Sequence, residues 1–147
     1  MSWSVSEPVI VPVDFSGMSV DAVSTARKIA EQSDNVYAVH VVSNYDQIAP
    51  GTDHLEAATD DERRAAVRAN FAAFLDENGF GDVREIILEG EVGEQIAEYA
   101  ASIKAGLVVI SSHGYDGVKR MLLGSVAESI IREIDCAVLV LRRADAE

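Results

Sequence analysis

The sequence predicts an α/β domain with one parallel sheet covered by helices on both faces. Three observations predict it. Five short apolar runs punctuate the chain, four segments with helical spacing lie between them, and several runs are apolar on consecutive rather than alternate residues. A strand apolar on both faces is one buried on both faces, as in a parallel sheet flanked by helices.

The elements follow in order. Val9–Val13 reads as the first strand, rich in Val and Ile. Ala22, Val23, Ala26, Ile29 and Ala30 then share one helical face, with Ser19 placed to cap its start. Val36–Val42 is the second strand. Asn44 to about Glu56 is a long connection carrying Pro50-Gly51, expected to be a mobile loop. Val67, Phe71, Phe74 and Leu75 form the next stripe, and Asn78-Gly79 suits its C-terminal stop. Val83–Leu88 is the third strand. Ile96, Ala100 and Ile103 form a third stripe, with Gly106 just past its end. Leu107–Ile110 is the fourth strand. Ala127, Ile130, Ile131 and Ile134 form the last stripe, and Cys136–Leu141 is the fifth strand. Residues 1–6 and 144–147 are expected to fray.

Alternating strands and helices with right-handed crossovers give a doubly wound, Rossmann-like domain. For five strands the flavodoxin-like order 3-2-1-4-5 is expected, with all of 1–147 in one domain. Pro12 conflicts with a central first strand, because it cannot donate a ladder hydrogen bond. The conflict resolves if its missing donor lies where pairing stops, at the rim where such folds bind ligands.

Composition narrows the function. The 147 residues carry 25 Asp and Glu against 12 Lys and Arg, a formal charge of −13. A surface for DNA or for anionic membranes needs clustered Lys and Arg, so neither partner is expected. No run of about 18 apolar residues is present, so no membrane span is expected. The N-terminal MSWSVSEP lacks a basic region followed by an apolar one, and Cys136 has no internal partner; a cytoplasmic protein is expected. The acidic excess fits an ordinary acidic cytosolic protein or, as the favoured reading, a halophilic one adapted to a salt-rich cytoplasm that screens its carboxylates. Equal stability in dilute buffer and in molar KCl would contradict that reading.

Ligands of doubly wound sheets bind beyond the strand C-termini where the strand order reverses, here between strands 1 and 4. Asp14-Phe15-Ser16-Gly17 follows strand 1, and Ser111-Ser112-His113-Gly114 follows strand 4. The second segment continues through nine residues, Tyr115 to Leu123, to Gly124-Ser125. Glycines let backbone approach an anion, and free N–H groups at a helix start attract phosphate. Taken alone, Ser125 with Glu128 is also a plain capping box.

Three stretches together resemble the universal stress protein family. They are Val9-Ile-Val-Pro-Val-Asp14-Phe-Ser16, Val39-His40-Val41-Val42, and Ser111 to Ile131 with its Gly114, Gly124 and Ser125, followed by Val138-Leu-Val-Leu141. Gly90 to Ile103 is similar too. In ATP-binding members the loop reads Gly, two residues, Gly, nine residues, Gly, then Ser or Thr. Here Ser111 stands for the first Gly, and Gly114, Gly124 and Ser125 match. The departure puts a Cβ beside the phosphates, or offers them a hydroxyl.

The resemblance implies ATP as ligand, with Mg²⁺ or Mn²⁺ bridging its phosphates. It implies that Asp14 bonds the ribose or adenine side, that Val41 offers backbone groups to the adenine edge, and that Pro12 and Val13 line the base pocket; taken alone, Asp14 reads equally as a carboxylate capping the loop toward the first helix. Ile110 would pack beside ribose and phosphates. Ser111, Gly114, Gly124, Ser125 and Val126 would supply N–H groups and a hydroxyl to the phosphates, with His113 nearby. It also implies a homodimer paired through Cys136–Leu141, an apolar edge strand; the alternative is an edge covered by the N-terminal tail with Trp3.

Other chemistry lacks its residues. There is no G-x-x-x-x-G-K-[ST], no G-x-G-x-x-G after strand 1 and no G-x-S-x-G. His40 is expected to be a satisfied, half-buried strand residue and Cys136 a small hydrophobe rather than a nucleophile. The expected function is an ATP-binding stress-response or signalling module, not an enzyme, with at most slow hydrolysis. The alternatives are a member that has lost nucleotide binding and works through protein contacts, and an adenine-nucleotide-dependent enzyme of related fold.

Overall fold

The computed structural model describes residues 5–42, 60–112 and 125–142. Five strands, β1 (Val9–Pro12), β2 (Val36–Val42), β3 (Arg84–Glu89), β4 (Leu107–Ser111) and β5 (Ala137–Leu141), form one sheet. Every pairing is parallel and the order is β3-β2-β1-β4-β5, as expected. Four helices alternate with them: α1 (Gly17–Ile29), α2 (Asp60–Glu77), α3 (Val92–Ile103) and α4 (Ser125–Glu133). Among the described residues, no helix is long and apolar enough to cross a membrane. The connection at 44–56 and Trp3 lie outside the described residues.

Right-handed crossovers in this order put α1 and α2 on one face and α3 and α4 on the other. Two cores follow. Val23, Ala26, Phe71 and Leu75 pack on Val9 and Val11 on the first face; Ile96, Ala100, Ala127 and Ile130 pack on Ile10 and Val108 on the second. The central strands β1 and β4 therefore read as consecutive apolar residues because both of their faces are covered. Each fully buried Val, Ile or Phe side chain among them contributes about 1.5–3 kcal/mol.

Several local expectations change. Ser19 does not cap α1. Ser16 does, its hydroxyl accepting from the Ser19 N–H at 3.4 Å, and Ser19 sits buried in the first turn. Val5 and Ser6 are not frayed: Val5 is 7% exposed and exchanges backbone hydrogen bonds with Ile29 and Glu31. Gly79, at φ 73°, does end α2, and the Phe80 N–H reaches the Leu75 carbonyl at 2.8 Å. The left-handed residue after α3 is Lys104, φ 57°, not Gly106. Gly106 is needed for close approach instead. Its N–H donates to the Pro8 carbonyl at 2.9 Å, and a Cβ there would lie 2.8 Å from that of Glu7. Ile131 does not share the buried stripe of α4: it is 41% exposed, because a helix of this width buries only Ala127 and Ile130 against the sheet. Glu128 points to Arg132, 3.7 Å away.

Candidate functional site at the sheet fork

β1 ends at Pro12 rather than Val13, and the reason locates the site. The Val13 N–H still donates to the Val39 carbonyl at 2.8 Å, so this residue points toward β2. Successive residues of a strand point to opposite neighbours, so Pro12 faces β4. There the register stops at Ile10 with Val108. Beyond it β4 stays with β5, the Ser112 N–H donating to the Leu141 carbonyl at 2.9 Å. The sheet forks: one prong is β1 with β2, the other β4 with β5. The missing donor of Pro12 lies inside the fork, where no ladder partner remains. This is the reversal of strand order at which doubly wound folds bind ligands.

The prongs carry the residues expected there. Pro12, Val13 and Asp14 end one, and Ile110 and Ser111 end the other. Val41 lies near the end of β2, and with Ile110 it belongs to the core on the α3/α4 face. Ser125 and Val126 open α4 on that face, both exposed. His113, Gly114 and Gly124 lie outside the described residues.

Asp14 is held in place by its own loop. Its Oδ1 accepts the Ser16 N–H at 3.0 Å and the Ser19 hydroxyl at 2.7 Å, while its N–H donates to the Ser19 Oγ at 2.9 Å. Among the described residues, Oδ2 takes no hydrogen bond. One carboxylate oxygen thus orients the group, and among the described residues the other is without a hydrogen bond. Ser19, read from sequence as a helix cap, is the residue that orients Asp14.

Phe15 is a site residue that sequence reasoning missed. It adopts φ 67°, a left-handed conformation that costs a side-chain-bearing residue of order 1–2 kcal/mol. Aromatic packing holds it there. Its ring stacks on His40 with centroids 4.5 Å apart and meets Phe71 edge-on at 5.4 Å. His40 Nδ1 lies 2.9 Å from the Val13 carbonyl. A carbonyl only accepts, so the proton sits on Nδ1. His40 is half-buried and satisfied, as expected. The neighbouring Gly17 gives no hint of this, since it has ordinary helical space around it.

A cleft of about 620 Å³ opens beside Asp14 on the α2 face, lined by Phe15, His40, Val42, Val67 and Arg68 among others. It shares Asp14 with the fork but faces away from α4. Among the described residues, no group of three or more His, Cys, Asp and Glu side chains converges to hold a metal ion. Cys136 is half-buried just before β5, and burial pushes its thiol up from the ordinary value, which disfavours the nucleophilic thiolate.

Comparisons with known proteins agree with this architecture. The model of the universal stress protein family matches residues 6–142. Universal stress protein MJ0531 of Methanocaldococcus jannaschii is 32% identical over 143 residues, covering 95% of this chain and 84% of that protein. The solved structure of protein MJ0577 from the same organism superposes with a TM-score of 0.68 at 26% identity, covering 96% of this chain and 99% of that one. A universal stress protein crystallised in complex with cAMP shares the fold, with a TM-score of 0.61 at 24% identity and coverage of 95% and 98%. Five parallel strands in this order, forked at Pro12, and a family match across nearly its whole length together establish that this chain belongs to the universal stress protein family.

Proposed function

We propose that this chain binds an adenine nucleotide, ATP foremost, in the fork between β1 and β4, and that it serves as a stress-response or signalling module with at most slow hydrolysis. The observation that carries this is the fork itself. Pro12 ends pairing at the rim, Asp14 stands there with one oxygen oriented and one that takes no hydrogen bond from the described residues, and Ser125 starts a helix on the same side. In this reading Pro12, Val13 and the Val41 backbone take the base, Asp14 the ribose or adenine side, and Ile110 packs beside the ribose. Ser111, His113, Gly114, Gly124, Ser125 and Val126 take the phosphates. A Mg²⁺ or Mn²⁺ ion enters on the phosphates rather than on a protein ligand set. A family member with this fold is known as a cAMP complex, which makes cyclic AMP a natural second ligand to test.

The same reading includes a homodimer paired through β5 in a salt-rich cytoplasm. The described start of the N-terminal tail supports an open edge, because Val5 bridges to Ala30 at the end of α1 rather than to β5.

The test is calorimetric titration of the protein with ATP and Mg²⁺ in molar KCl, followed by AMP and cyclic AMP. Saturable binding near one nucleotide per chain is expected, abolished by Gly124→Asp with fold and assembly unchanged. At about 100 times its Kd the ligand should stabilise the fold by about 2.7 kcal/mol. No heat and no stabilisation at millimolar ATP overturns the nucleotide reading and leaves a module that works through protein contacts. Turnover well above background with a defined co-substrate overturns the non-enzymatic part.

A further inference from the structure

We propose that Gly93 is a positioning residue for the phosphate end of the nucleotide site, setting where α4 begins by giving Ser129 a seat on α3. This rests on the nucleotide reading above. The seat is visible in three contacts. A Cβ on Gly93 would lie 2.0 Å from the Ser129 Oγ, and 3.0 Å from both its Cβ and its carbonyl oxygen. The hydroxyl can turn away from a side chain at position 93. The Ser129 Cβ and carbonyl cannot, unless α4 itself moves.

Glu91 fixes the contact from the other side. Its Oε1 caps α3, accepting the Glu94 N–H at 2.8 Å, and its Oε2 accepts the Ser129 hydroxyl at 3.3 Å. One carboxylate thus ties the start of α3 to the first turns of α4. Ser129 stands four residues after Ser125, so the two lie one above the other on the same side of the helix. A push at Ser129 is therefore a push on the end that carries Ser125. Little else opposes it, since α4 has nine residues and buries only Ala127 and Ile130. Asp14, which the reading assigns to the ribose or adenine side, belongs to the other prong and is held by its own loop, through Ser16 and Ser19, rather than by α4.

This separation makes the proposal testable. The phosphates should feel a displaced α4, and adenosine should not. Calorimetry on the full chain with ATP–Mg²⁺ and with adenosine compares the unaltered protein, Gly93→Ala and Gly93→Val. ATP affinity is expected to fall stepwise, by about tenfold or more for the valine, as displacements of a fraction of an ångström at a preorganised site do. Adenosine affinity should stay within about twofold. Ser129→Gly in the Gly93→Ala background removes two of the three atoms struck, Oγ and Cβ, and should restore part of the ATP affinity. Should Gly93→Val not fold, Ser129→Ala, which cuts only the tie to Glu91, should still lower the ATP-to-adenosine ratio. An unchanged ratio in the folded variants overturns the role of Gly93, and so does an equal loss for both ligands. An unaltered protein that binds no ATP overturns the nucleotide reading itself, and this inference with it.

Discussion

The two edges of the sheet solve the same problem differently. β3 and β5 both leave one side unpaired. β3 begins with exposed Arg84 and Glu85 and ends with Glu89. Arg84 donates to the Asp34 carbonyl at 2.7 Å and lies over the Tyr37 ring, and Glu89 accepts from Arg64 of α2 at 2.6 Å. Charges at both ends and a helix tied across its top make this edge unattractive to another strand. Among the described residues, β5 has none of these devices along its length. Ala137–Leu141 holds no charged residue, and all but Ala137 are half-buried, with Leu139 and Leu141 leaning on one core and Val138 and Val140 on the other. Exposed Ile131 lies nearby in sequence. A sheet that defends one edge with charge and leaves the other apolar has a built-in direction for association, and the proposed dimer uses it.

The largest expected effect tests that asymmetry directly. Val140→Lys should turn a dimer into a monomer at micromolar concentration by light scattering, with the circular dichroism of the fold retained. A monomeric mass for the unaltered chain would break the comparison at once. Glu85→Val, which strips charge from β3, is the converse and should promote new association.

The next effect concerns what lies beneath each edge. Phe71, fully buried under the β2–β3 side, should cost about 3–5 kcal/mol on replacement by Ala in urea unfolding. Leu139→Ala, half-buried on the β5 side, should cost about 1–2 kcal/mol. If the dimer forms on β5, the Leu139 cost grows with protein concentration while the Phe71 cost does not depend on that interface.

The smallest effect belongs to the charged edge. The Arg64 hydrogen bond holds the Glu89 carboxyl below its ordinary range, and its charge adds to the effect. A depressed carboxylate contributes stability that is present above its unfolded pKa and lost as pH falls through the folded value. Glu89→Gln should therefore lower the melting temperature slightly at neutral pH in dilute buffer. The difference should vanish in acid, below the usual carboxylate range, and in molar KCl, because the pair is exposed and screened. A difference that persists in molar KCl would mean that β3 is held by more than surface charge.

How much of this was legible in the sequence varies by element. The five strands and four helices stand where the apolar periodicity put them, with strand ends displaced by at most one residue and α1 capped three residues earlier than Ser19. Pattern reports which faces are buried, and right-handed crossovers leave few orders to choose from. Pro12 marked the rim, because a missing donor is a local property that any sheet must accommodate. Phe15 gave no signal, because its conformation is imposed by rings from β2 and α2. Ser19 gave a misleading one, since a serine near a helix start looks the same whether it caps the helix or orients a carboxylate. Gly106 was visible as a glycine but not as the neighbour of Glu7.

The sequence by itself thus determined the order of elements, the faces they bury and the side of the sheet on which a ligand site can form, because these depend on local periodicity and chain handedness. Only the tertiary structure decided where β1 and β4 part, which oxygen of Asp14 is taken, which way Ile131 faces and why residue 93 bears no side chain. Each of those depends on atoms brought together from distant parts of the chain, and distances of 2–3 Å between such atoms are not encoded in any single segment.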